Sequence, residues 1–209
     1  MSQLSTTGHG AATGGHVEAE TSLHVDSRKM GVWAFIGSEV MFFTALITTY
    51  LVYKPVNAAR YPDQLPHEKL GIQFTGVLAA ILLASSVTMV LSLAASRRGD
   101  RRLFTIWQLA TVGLGLCFLG GQAYEFTNLV YNEGVKLSSS LLGTTFFVLT
   151  GFHGTHVAIG VVWLLTVFFK VRKYPNSPEN VMDVELGGLY WHFVDLVWVA
   201  IFTLIYLLP

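Results

Sequence analysis

The sequence predicts an all-α polytopic membrane protein: a five-transmembrane-helix bundle with its N-terminus in the cytoplasm and its C-terminus outside. Three observations carry this. Of the 209 residues, 52% are hydrophobic and only 12% are charged, about half the charged share of a soluble domain. Five stretches reach the roughly 20 apolar residues needed to cross a bilayer. Those stretches are continuous, whereas the strands of a membrane barrel alternate in hydrophobicity over about ten residues. The formal net charge of zero gives no indication of a nucleic-acid partner.

Residues 1–29 form a polar arm rich in Gly, Ser and Thr. They lack the apolar core of a secretory signal and read as a disordered or loosely docked segment. The arm carries His9, His16 and His24, whose wide spacing without cysteines is a poor metal motif. The transmembrane domain occupies 30–209. Its spans are expected at about 30–53, 70–95, 103–130, 141–169 and 186–208. No proline falls within any of them, and the fourth ends at Lys170.

Orientation follows from the basic residues. The arm, the Arg97–Arg102 turn and the loop after the fourth span together hold nine Lys and Arg, against four on the other side. That excess places the N-terminus in the cytoplasm. The single cysteine, Cys117, excludes an internal disulfide and is expected to be a small core residue. Gly154 and Ala158 are one helical turn apart and are expected to permit a close helix contact.

Ionisable residues inside spans are costly and point to function. Glu39, Glu125, His153, His156, His192 and Asp195 are of this kind. With a rise of about 1.5 Å per residue, Glu39 and Asp195 lie roughly 14 Å from the cytoplasmic ends of their helices and His156 roughly 20 Å. These three occupy a similar layer. His153 and Glu125 lie farther out, and His192 lies farther in. His153 and His156 are three apart and share a face, as do His192 and Asp195; a carboxylate so placed can set a histidine tautomer. Interhelical hydrogen bonding accounts for these groups better than metal binding does. The His-x-x-His spacing is not the HExxH pattern, and di-iron bundles use Glu-x-x-His pairs. Glu39 has no ionisable neighbour within four positions on its own helix and is followed by Val40, Met41, Phe42 and Phe43. Such surroundings favour the uncharged acid, a candidate for proton exchange or for donating a hydrogen bond to another helix.

The stretches SEVMFFTA, GQAYEF, GFHGTHVAIG and ExxxxYWHFVDLVW fall in that order on spans one, three, four and five. With them the chain resembles subunit III of the haem–copper respiratory oxidases, over nearly all of 30–209 and without the arm. The five spans resemble the shorter bacterial form, which lacks the first two helices of the seven-helix members. The resemblance implies an accessory subunit of a terminal oxidase that reduces dioxygen to water while pumping protons. This subunit stabilises the catalytic subunit and supports proton uptake. It carries no redox centre and no metal of its own; haem and copper belong to partner subunits I and II. Bound phospholipid, other membrane lipids and membership of a respiratory supercomplex fit the same picture, as does a multi-pass place in the bacterial inner membrane. Glu39 matches the family's carbodiimide-reactive buried carboxylate. Glu125, His153, His156, Glu185, His192 and Asp195 match its polar positions. The wording around Glu39, AYEF and YWHFVD lies nearer the cytochrome c oxidases than the quinol oxidases. Two rivals fit less well. A proton-coupled transporter would be expected to show internal repeats or broken helices, and neither is seen. An intramembrane metalloenzyme would have to be built on the histidines.

Overall fold

A computed structural model describes residues 26–60, 71–131 and 141–207; the expectations for the arm and its three histidines lie outside these. The described chain consists of α1 (Ser27–Arg60), α2 (Ile72–Arg97), α3 (Arg101–Tyr131), α4 (Leu141–Lys173) and α5 (Asn180–Ile201), followed by a π-helical segment (Phe202–Leu207). All five helices are long and apolar enough to cross a membrane.

Two of the boundaries that depart from expectation have a clear physical reading. α1 continues through Pro55, so a proline does lie within a helix; it removes one backbone donor there. α5 starts six residues before the expected Leu186 and takes in Asp183 and Glu185. The acids are accommodated because bases answer them. Lys170 of α4 contacts Asp183 at 2.6 Å, and Lys29 of α1 and Arg97 of α2 both bind the Glu185 carboxylate. A hydropathy reading counts these acids as loop, whereas the fold neutralises them.

The α2–α3 turn is local chemistry. Asp100 N–H donates to Ala95 O and Gly99 N–H to Ser96 O, the paired bonds that close a helix on a left-handed residue. Gly99 takes that conformation at φ 72°, where a β-carbon would be strained. Asp100 Oδ1 then accepts from the amides of Arg102 and Leu103, capping α3. The RRGDRR stretch thus stops one helix and starts the next.

α2, α3, α4 and α5 enclose the core, and α1 lies at the edge against α4 and α5. Trp191 of α5 is fully buried and donates from Nε1 to Ser85 Oγ of α2 at 2.9 Å. Its ring occupies space that only glycine leaves: a β-carbon on Gly115 of α3 would lie 2.6 Å from it, and one on Gly160 of α4 would lie 3.0 Å away. Gly121 admits Leu78 in the same way. The expected contact at Gly154 is not made, since nothing lies within 4 Å of a β-carbon there. Cys117 is exposed, contrary to the core placement. It lies beside exposed Leu116 and Gly120, on a face that lipid or a partner covers at no hydrophobic cost. Small polar residues complete the packing. Thr88 meets Thr111 at 2.8 Å, Ser92 donates to Gln108 Oε1 at 2.7 Å, and Gln108 Nε2 donates to Leu164 O at 3.2 Å.

Candidate functional site

The intramembrane polar residues fall into separate groups. The first joins α1 to α4. One face of α1 carries Ile36, Phe43, Ile47 and Tyr50 inward, and Glu39 falls on that stripe one turn before Phe43. His156 Nε2 lies 3.1 Å from Glu39 Oε2, and its Nδ1 lies 2.8 Å from Phe152 O. A carbonyl only accepts, so Nδ1 carries a proton. One further proton then sits between Nε2 and the carboxyl, on either side. The pair is either acid with neutral imidazole or carboxylate with imidazolium, without any heavy atom moving. Phe43 holds the imidazole edge-on at 5.0 Å, and Tyr190 OH donates to the His156 carbonyl at 3.1 Å. The side chains of His156 and Glu39 keep 13% and 19% of their exposure, so the pair is reachable from outside the bundle.

His153 shares the face of His156, and Phe43 touches both rings, but its environment differs. It is fully buried, stacked on Trp198 at 4.9 Å and 25°, with Phe118 edge-on at 5.9 Å. Neither ring nitrogen has a hydrogen-bond partner among the described residues.

The second group joins α2 to α5. His192 Nδ1 lies 2.8 Å from Ser86 Oγ, and Ser86 Oγ also forms a short hydrogen bond to Asp195 Oδ2. His192 and Asp195 face the same way, yet they do not pair directly, because the Ser86 hydroxyl stands between them. Asp195 is buried at 4% exposure, and its Oδ1 has no partner among the described residues.

Glu125 of α3 is a third case. Thr75 Oγ1 of α2 donates to its Oε1 at 2.6 Å, whereas Oε2 is buried without a partner. Glu185 sits apart from all of these, at the N-terminal end of α5, in the ion-pair cluster that binds α1, α2 and α5. Glu179 lies just ahead of α5 and is held below the ordinary carboxylate range by its hydrogen bonds from Lys170 and then from Arg28. Among the described residues, no three His, Cys, Asp or Glu side chains gather closely enough to hold a metal ion.

The layer estimate brings Glu39 level with His156, and the structure joins them. It also places Asp195 at that depth, but on another face with other partners. Ser86, Thr75, Lys29, Arg97 and Tyr190 complete these groups and were not read from the sequence. Serines, threonines and terminal bases are too common in helical membrane proteins for a single sequence to mark them.

A family model described as cytochrome c oxidase subunit III matches residues 9–208. That match reaches into the arm, which the motif resemblance left out. The chain is similar to the cytochrome c oxidase subunit 3 of Synechocystis sp. (39% identical over 186 residues, 88% of this chain and 77% of that one). It is similar to the quinol oxidase subunit 3 of Bacillus subtilis (36% over 179 residues, 86% of each). It is also similar to the cytochrome c oxidase subunit 3 of Alkalihalophilus pseudofirmus (35% over 193 residues, 92% of each).

Proposed function

The chain belongs to the cytochrome c oxidase subunit III family, and from that membership we propose that it is the accessory subunit of a proton-pumping haem–copper terminal oxidase. The observation that carries the reading is the family match over most of the chain together with five helices able to span a membrane. The reaction, reduction of dioxygen to water with protons moved across the membrane, belongs to the complex. Haem and copper sit in partner subunits I and II. This chain stabilises the catalytic subunit, supports proton uptake and contacts phospholipid. The complex resides in the bacterial inner membrane with the N-terminus of this chain in the cytoplasm, a placement supported by the nine-to-four excess of Lys and Arg.

Within the chain, Glu39 is the proton-linked or lipid-linked acid. Its support is geometric: a carboxyl that shares one proton with His156, at a place still reachable from outside the bundle. Glu125, His153, His192 and Asp195 serve as polar positions between helices, and Glu185 serves to hold the α1, α2 and α5 ends together.

The electron donor is proposed to be cytochrome c, supported by the family description and by the relative of 39% identity. The similar quinol oxidase subunit at 36% favours the second reading, a quinol oxidase. Purification through a tag on this chain in a gentle detergent tests both. A co-purifying haem-containing oxidase that consumes oxygen with reduced cytochrome c is the expected result. Oxidation of quinol instead selects the second reading, and a chain that purifies alone with a transport or metal-dependent activity sinks both.

A further inference from the structure

We propose that His192, Ser86 and Asp195 form a proton relay, in which a proton taken up at His192 Nε2 is delivered to the buried Asp195 through the Ser86 hydroxyl. The inference is independent of the Glu39 reading: its residues join α2 and α5, whereas Glu39 and His156 join α1 and α4.

The geometry is that of one hydroxyl between two proton carriers. Ser86 Oγ is 2.8 Å from His192 Nδ1 and in a short hydrogen bond to Asp195 Oδ2. A serine hydroxyl has a single proton to give and lone pairs to receive. The same heavy atoms therefore support two mirror arrangements. In one, His192 Nδ1–H donates to Ser86 Oγ and the Ser86 O–H donates to an Asp195 carboxylate. In the other, a protonated Asp195 donates to Ser86 Oγ, and Ser86 donates to a bare Nδ1, with the imidazole proton on Nε2.

The two arrangements differ by a directed transfer that balances. A proton binds Nε2 of the first arrangement and gives an imidazolium beside a carboxylate. The Nδ1–H bond breaks as its proton forms an O–H bond to Ser86. The original Ser86 O–H bond breaks as its proton binds Asp195 Oδ2. The imidazole ends neutral with its proton on Nε2, the serine is unchanged, and the carboxylate has become a carboxylic acid. No bond other than N–H and O–H is touched.

Burial gives the relay two unlike ends. Asp195 is buried in the core, whereas His192 is partly exposed and its Nε2 has no hydrogen bond among the described residues. The surrounding elements offer no competing carrier. Ser85, next to Ser86, is engaged by Trp191. The neighbouring ionisable ring, His153, stacks on Trp198 one turn beyond Asp195 and has no bond to the relay. Among the described residues, no Lys, Arg, Asp or Glu pairs with His192 or Asp195.

The test is infrared spectroscopy on the purified full-length chain in lipid, within its complex where it co-purifies. Asp195→Asn identifies the carboxylic C=O band of residue 195. In the unaltered protein that band is expected to rise and fall with pH in step with the imidazole modes of residue 192, and to exchange rapidly on transfer to deuterium oxide. Ser86→Ala is expected to slow the exchange by about a hundredfold or more, the scale of losing a positioned proton carrier, while leaving the band in place; Ser86→Thr restores the rate. His192→Gln, with Ser86 intact, is expected to slow exchange similarly, and it serves where Ser86→Ala does not assemble. Exchange at the unaltered rate in either variant, or titration of residues 192 and 195 independent of each other, overturns the relay. The readout does not depend on oxidase turnover, so it stands or falls separately from the proposed function.

Discussion

Glu39 and His156, 117 positions apart, meet through one shared proton: His156 Nδ1 is committed to Phe152 O, and Nε2 faces Glu39 Oε2 at 3.1 Å. A carboxamide can take over the hydrogen bond by donating its N–H to Nε2, but it cannot supply an exchangeable acid proton. Glu39→Gln is therefore expected to leave assembly intact, with a stability change within about 1 kcal/mol. It should abolish carbodiimide labelling of the chain and shorten sustained turnover of the complex. Glu39→Leu leaves a half-enclosed imidazole nitrogen without its partner and should cost about 1–3 kcal/mol. Thermal melting of both variants alongside the labelling assay checks this, and labelling that persists in Glu39→Gln shows that another acid reacts.

The glycines separate by what stands opposite them. A β-carbon on Gly115 would meet the Trp191 ring at 2.6 Å, and one on Gly160 would meet Trp191 at 3.0 Å and Tyr190 at 3.2 Å. Trp191 is fully buried and tied to Ser85, so it has little room to yield. Gly115→Ala is expected to destabilise by about 1–3 kcal/mol, the cost of overpacking a filled core. Gly160→Ala should follow at the lower end of that range. Gly154→Ala meets nothing within 4 Å and should stabilise by up to about 1 kcal/mol by removing a helical glycine. Heat-induced loss of the folded chain in detergent ranks the three, and equal behaviour would refute the assignment of Trp191 as the wedge.

Much of the architecture was legible because a bilayer-length apolar run is a demand made by the solvent on every residue in turn. All five helices were therefore visible, as was the layer shared by Glu39 and His156, which needs nothing beyond helical rise. What escaped reading depends on other parts of the chain. The start of α5 is set by Lys29, Lys170 and Arg97, three bases on three other helices, and no local pattern announces them. Cys117 is as apolar as a core residue, and in lipid hydrophobicity does not tell inside from outside. Gly154 carries the same small-residue signal as Gly160, yet only Gly160 has a tryptophan opposite it. Ser86 is one of many membrane serines, and its place between His192 and Asp195 comes from the crossing of α2 and α5.

Glu179 gives a pH dependence whose sign is set. Its carboxyl is held below the ordinary range by Lys170 and Arg28. A depressed acid contributes while ionised, so the contribution is complete above the ordinary carboxylate value. It is lost as pH falls through the lowered value. The site is exposed, so the consequence is local: the contact between the start of α1 and the α4–α5 turn loosens in acid. Carbon-13 resonances of labelled Glu179 should titrate below those of a free glutamate, and Lys170→Gln should move the midpoint back up. A midpoint unchanged by that substitution would remove Lys170 as the main cause.

His153 and His156 predict opposite responses to the same substitution. His153 makes no hydrogen bond from either nitrogen among the described residues and is enclosed by Trp198, Phe118 and Phe43. Phenylalanine keeps the stacked ring and removes two buried polar atoms that lack partners, so His153→Phe should change stability by no more than about 1 kcal/mol in either direction, and a gain is the favoured sign. His156→Phe removes the partner of Glu39 and the bond to Phe152 O together, leaving an acid in the bundle without its proton acceptor. That variant should lose about 1–3 kcal/mol and should alter carbodiimide labelling at Glu39, which His153→Phe leaves unchanged. Denaturation of the two variants in the assembled complex, scored with the labelling assay, decides the matter. A loss at His153 as large as that at His156 would show that its nitrogens are bonded in the complex and that the aromatic enclosure is not what holds the ring.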